Sequence, residues 1–392
     1  MINLFSACWF SGHVSCGIPQ CLPQNSKGCI SLLAARSTGK RSYQLIALLL
    51  LSVMSWMPVE AAQYMFPPQN IGDLPAGCAG SGGSYNCGAL ALAAGDKIIV
   101  NSPTTIFVAG ALTAGRGSSI NANGAASDLT LVVSGTTGVD AGSTIVANLM
   151  GVGAITLGAS SVFTGKLTTD NAAISVGDFS TVNGSITTTV AGVITVGANS
   201  RVTGSISTLS GAVNVGANSR VDGFISSTLA GVVTIGAGTV VGGEIKTVSG
   251  AINLGAGSKV SGSVSDSIAG AITVGDNAVV GGSVSTNSGA ITIGTGSRVS
   301  ASVCTGLAGA ITLNDNTDVG GNLSTNAGAI TVGSLSKVAG TINAVVGAVT
   351  VAPSASIGTV ASKLKCPYDP PTPVPPPAPA IKKREWRQLF MR

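Results

Sequence analysis

The side chains that run most hydrolytic and metal chemistry are nearly missing from this chain. It has one histidine, His13, and that residue lies upstream of an expected export signal. The segment left after export offers no Ser-His-Asp or Cys-His arrangement, no His-ligated zinc and no histidine proton shuttle. It carries no GxxxxGKS/T phosphate loop and no CxxC pair. Carboxylates are scattered, and the nearest pair, Asp315 and Asp318, falls in an expected turn. A polysaccharide-cleaving site needs such groups facing one another across a groove. The sequence therefore reads as non-enzymatic, with no cofactor and no metal.

Binding and covalent chemistry remain. Cys78 and Cys87 flank the flexible segment Ala-Gly-Ser-Gly-Gly-Ser-Tyr-Asn and are expected to form a disulfide after export to an oxidising compartment. Whether Cys304 pairs with Cys366 stays open at this level. Arg201, Arg220, Lys259, Arg298 and Lys337 recur at equivalent sites, a discontinuous basic stripe suited to an anionic glycan. Solubility and protection against edge pairing explain such a stripe equally. The ending IKKREWRQLFMR places Trp386, Leu389 and Phe390 on one face of a short helix, with Lys382, Lys383, Arg384 and Arg387 around it. That is a basic amphipathic handle for a membrane surface or a partner groove.

These residues must be held by something, and the composition says what. Gly numbers 55 of 392 residues, hydrophobic residues make up 45%, and aromatics only 4%. Apolar material for a large core is present, so wholesale disorder is excluded. Glycine does not fall at every third residue, which excludes collagen.

The core is a tandem array. GAITLG begins at Gly153, and related hexads follow through GAVTVA. Their third residues are Ile155, Ile174, Ile194, Val213, Val233, Ile252, Ile272, Ile291, Ile311, Ile330 and Val349. The spacing alternates between 19 and 20 residues until a final 19. Within a copy, Ile194 and Val196 flank Thr195 as a short strand. Gly197, Ala198, Asn199 and Ser200 then form a turn, with Asn199 suited to a left-handed backbone. Val202 and Ile206 mark two further apolar sites. Three short strands per 19–20 residues predict an all-β, single-stranded parallel β-helix, each coil about 4.8 Å from the next. One coil cannot bury its own apolar face, but a stack can.

The longer coils carry Val190, Leu229, Ile268 and Leu307 at their third corner, which predicts a pairwise super-repeat of 39 residues. Outward positions on the first strand, such as Ala154 and Thr156, form a small Ala-x-Thr lattice that fits ordered water, a flat partner or plain solvent.

The expected organisation is an upstream segment and signal over 1–62, with the signal at 40–62. A disulfide-bearing cap follows at 63–97 and the β-helix at 98–361. A Pro-rich linker spans 362–380, and the basic segment 381–392. Lys40 and Arg41 precede an apolar run over 45–57 and small residues at Ala61 and Ala62, a signal-peptide pattern. Charge follows the same division. Residues 63–361 hold 9 basic and 12 acidic side chains, a net of −3; residues 362–392 hold 7 basic and 2 acidic, a net of +5. The positive charge belongs to the tail, so nucleic-acid binding is not indicated.

The GAITVGANSRVTGSI pattern, the cysteine segment at 75–96 and the KKREWRQLFMR ending resemble a family of secreted Gly-rich repeat proteins. They are similar to the repeat region of MSHA-pilus biogenesis Q-type proteins and, in style, to polymer-forming bactofilin-like β-helices. Bactofilins lack a signal peptide, and the chain departs from them there. The resemblance implies a surface or structural role and brings no catalytic residue. The expected function is an exported structural or adhesive solenoid at the cell surface or outer envelope. Its expected partners are a cell-envelope protein or membrane surface, a polysaccharide, or further copies joined laterally or end to end. Ice or crystal-surface binding through the Ala-x-Thr lattice, or polysaccharide binding, is the alternative.

Overall fold

A computed structural model describes residues 61–70 and 72–360. They are all-β, mostly parallel strands stacked as a β-solenoid of about 15 turns with three strands per coil. In one representative coil the strands are Ile194–Val196, Arg201–Val202 and Ile206–Ser210.

The hexad repeat is the register of the stack. Ile155 lies on Ile174, Ile174 on Ile194, and the series continues in parallel register to Ile330 on Val349. The first strands form a 14-stranded sheet. The third residue of every hexad from Ile155 to Ile330 is fully buried. Ile and Val side chains stacked at the strand spacing make a continuous buried column, which is why the period tolerates so little drift.

The extra residue of the longer coils sits in one place. Arg201 follows Ile194 by seven residues and Ile206 follows Arg201 by five; the same offsets recur at Val213, Arg220 and Ile225. The third corner changes instead, from seven residues between Ile206 and Val213 to eight between Ile225 and Val233. Register shifts appear there, at Thr188/Ala191, Thr208/Ser210 and Thr286/Ser288. At the first corner Asn199 has φ 55°, and Asn218 and Asn277 match it. Phe179 and Leu335 occupy the same left-handed position at φ 56° and 59°.

Glycine has a packing reason at the third corner. A Cβ on Gly231 would collide with the carbonyl oxygen of Gly211 one coil before. The chain can step inward there only without a side chain.

Stacking begins earlier than the hexads do. Gln63–Phe66 pairs in parallel with Lys97–Val100, and Ser84–Cys87 pairs with the strand Thr104–Val108. Residues 63–97 thus supply the first coil as well as the cysteine hairpin. Phe66 and Tyr85 pack edge to face inside it, ring centroids 4.9 Å apart. Asp96 accepts the Ala62 and Ala93 backbone N–H groups at 2.7 and 2.8 Å, tying the first strand to the next turn. The interior also admits one larger ring further along, Phe163.

Two interior columns are polar, which the aliphatic pattern does not foretell. At the first corner the buried hydroxyls of Ser180, Ser200, Ser219 and Thr239 form a ladder. The Ser200 Oγ accepts the Ser180 N–H at 3.1 Å and donates to the Gly177 carbonyl at 3.1 Å. The Ser219 Oγ repeats this with the Ser200 N–H and the Gly197 carbonyl. Each hydroxyl satisfies corner groups that the strand ladders leave over. Ala278 interrupts the ladder, and the Ser258 hydroxyl one coil earlier is buried without a partner. In the third strand, Thr188, Thr208, Ser227, Thr247, Asp266, Thr286 and Thr305 also point inward.

Candidate functional site

The hairpin disulfide forms between Cys78 and Cys87, whose strands pair antiparallel in direct register. Cys304 is buried and disulfide-bonded. Its suggested pairing with Cys366 lies outside the described residues. So do the handle residues Lys382, Lys383, Arg384, Trp386, Arg387, Leu389 and Phe390, and the signal segment as far as residue 60.

The basic residues do share one outward column on the second strands. Arg201 stands in register with Arg220, while Val240 separates Arg220 from Lys259 and Val279 separates Lys259 from Arg298. Asp318 then separates Arg298 from Lys337. Much of the positive charge is locally compensated. Asp222 receives the Arg201 guanidinium at 2.7 Å and also pairs with Arg220. The hydrogen bond from Arg201, with a further one from Arg220, holds the Asp222 carboxyl below its ordinary range. Arg298 lies 3.3 Å from Asp318. Lys259 and Lys337 carry no ion pair among the described residues. The column brings the predicted residues together but presents isolated cations rather than a continuous anion-binding stripe.

Asp315 and Asp318 do not converge. The Asp315 Oδ1 accepts the Ser334 backbone N–H at 2.7 Å, while Asp318 faces Arg298. Asp178 and Asp276 make the same bond as Asp315 to the next coil. These three first-corner aspartates are backbone caps. No group of three His, Cys, Asp or Glu side chains suited to a metal occurs among the described residues.

Two outward surfaces remain. On the first sheet, Thr156, Ser175, Thr195, Asn214 and Thr234 form a row in unbroken register. At the third corner, Val190, Leu229, Ile268, Leu307 and Val346 are exposed by 41–67%. They recur every 39 residues, the first four on the eight-residue corners and Val346 on a seven-residue one. The 39-residue period was legible; Val346 continues the spacing by one step, although its corner is the shorter kind.

Asp266 is the functional-looking residue that sequence reasoning passed over. It is 1% exposed and takes a threonine's place in the inward third-strand column. Its Oδ2 accepts the Thr247 hydroxyl at 2.8 Å and the Gly250 N–H at 3.1 Å, and its Oδ1 accepts the Ile268 N–H at 3.2 Å. Burial, outweighing these bonds, raises its pKa above the ordinary 3.8. The signal was available: Ile-x-Thr alternation in the third strand makes Val264-Ser-Asp266 an inward carboxylate.

Comparison with known proteins gave no matching family model, no matching curated protein and no matching solved structure. The resemblance to pilus-biogenesis and bactofilin-like repeats rests on its motifs alone, whereas the repeat β-solenoid stands on the structure.

Proposed function

We propose that the protein is a non-enzymatic, exported β-solenoid with a structural or adhesive role at the cell surface. In this reading residues 381–392 attach it to a cell-envelope protein or a membrane surface. The observation that carries the reading is the unbroken stack. From Ile155 to Val349 each first strand pairs with its neighbour without a register shift, and the corner carboxylates Asp178, Asp276 and Asp315 serve that stack. A chain whose polar groups hold its own coils together is built to span and present a surface.

The disulfide hairpin is in keeping with export. Self-association is part of the proposal: the exposed apolar column repeats every two coils, and a second copy carries knobs at the same spacing. The in-register row of Thr156, Thr195 and Thr234 favours a second reading, in which the first sheet orders water or meets a crystal face. Thermal hysteresis or an ice-recrystallisation assay on the purified protein separates the two. The main reading is tested by intact-mass measurement of the chain recovered from envelope and medium. A mature chain beginning near Ala62 or Gln63 supports it; recovery of only the unprocessed chain from the cytoplasm refutes it.

A further inference from the structure

The outer face of the third strands carries a groove of about 410 Å³ lined by Lys166, Thr168, Thr187, Ser205, Ser207 and Phe224, with Ser185 between them. Its layout follows from register. Leu167, Ile186, Ile206 and Ile225 stack in order, so the residues just before them, Lys166, Ser185, Ser205 and Phe224, form one outward column. Thr168, Thr187 and Ser207 form the parallel column beside it. Three coil steps separate Lys166 from Phe224, about 14 Å.

The chemistry at the two ends differs from the floor. Lys166 is exposed and has no ion pair among the described residues. It is the one charged side chain lining the groove, and it favours an anion at that end; at the other end Glu244 follows Phe224 in the same column. Phe224 is 45% exposed in a chain with 4% aromatics, and serine fills its site in both preceding coils. The solenoid does not need an aromatic there. Between the ends the floor offers hydroxyls that donate and accept: Thr187 and Ser207 bond to each other at 3.2 Å, and the Ser205 Oγ accepts the Phe224 N–H at 3.2 Å.

We propose that this groove binds a short acidic glycan of about three sugar units. One sugar ring lies against the Phe224 face through its apolar C–H surface, the ring hydroxyls meet the Ser/Thr floor, and a uronate carboxylate meets Lys166. Aromatic rings favour ligands that are apolar on one face and wet at the rim, and a few placed polar groups fix orientation. The site deepens the adhesive side of the reading above. It is tested on purified protein, so its failure is distinct from failure of export or surface attachment.

The test is calorimetric titration of the purified chain with tri-galacturonate and with its methyl ester, which replaces each carboxylate by an uncharged ester. Lys166→Ser and Phe224→Ser install the residue already present at neighbouring coils, so folding is preserved; circular dichroism verifies this. Tri-galacturonate should bind. Methyl esterification or Lys166→Ser should weaken binding about fivefold, and Phe224→Ser by about the same factor or more. Arg201→Ser with Arg220→Ser should leave it unchanged. No binding at millimolar ligand, binding as tight as the parent's in either groove variant, or loss only in the arginine variant would overturn the proposal.

Discussion

Thr247 donates its hydroxyl to the carboxylate of Asp266 across one coil, at 2.8 Å, inside the solenoid. A carboxylate thus stands where neighbouring coils hold threonine. Burial raises its folded pKa above the ordinary 3.8, so the native state binds the proton more tightly than the unfolded chain. Its contribution to stability is therefore fully present below the unfolded pKa and is lost as pH rises through the folded one. Asp266→Thr should be more stable than the parent at neutral pH, with the difference shrinking on acidification. Urea denaturation of both proteins from pH 7 downward measures this; a gap that widens on acidification refutes the assignment.

The hydroxyl ladder makes a second prediction. The Ser219 Oγ joins the Ser200 N–H to the Gly197 carbonyl at 3.1 and 2.9 Å. Ser219→Ala leaves both unpaired and should cost about 1–3 kcal/mol. The Ser258 hydroxyl is already unpartnered, so Ser258→Ala should cost little. Equal losses at the two sites in equilibrium unfolding would contradict the ladder.

Glycine at the third corner is a packing requirement. Gly231→Ala drives a methyl into the Gly211 carbonyl, whereas a Cβ on Gly138 meets nothing within 4 Å. Gly231→Ala should destabilise by about 1–3 kcal/mol and Gly138→Ala by far less. Comparable melting temperatures for the two variants would remove the argument.

Phe179 holds φ 56° where most coils place asparagine or glycine, and its side chain is 65% exposed. Left-handed backbone costs a non-glycine residue about 1–2 kcal/mol. Asparagine relieves much of this, so Phe179→Asn should raise stability by about 1 kcal/mol. A fall in stability would show that the Phe179 ring makes a compensating contact.

The fold was legible because one coil is printed eleven times: Ile155 to Val349 gave the stack, and Val190, Leu229, Ile268 and Leu307 the alternating corner. The polar interior was harder to see. Ser200 looks like any turn serine, and only the stack turns its hydroxyl toward Gly177. The basic residues fall in one column, yet Asp222 lies 21 positions from Arg201, so their pairing needed the register between coils. The groove was invisible for the same reason. Lys166 and Phe224 are far apart in sequence and three coils apart in space.

The proposed role puts the solenoid outside the cytoplasm and has residues 381–392 retain it there. A C-terminally neutral design serves best, with an epitope inserted at the exposed third corner and residues 381–392 either kept or deleted. Protease shaving of intact cells, followed by fractionation, reads both parts at once. The account predicts a protease-accessible, envelope-bound full chain and release of the shortened chain to the medium. A protease-protected chain in the cytoplasm, or identical retention of both forms, would contradict it.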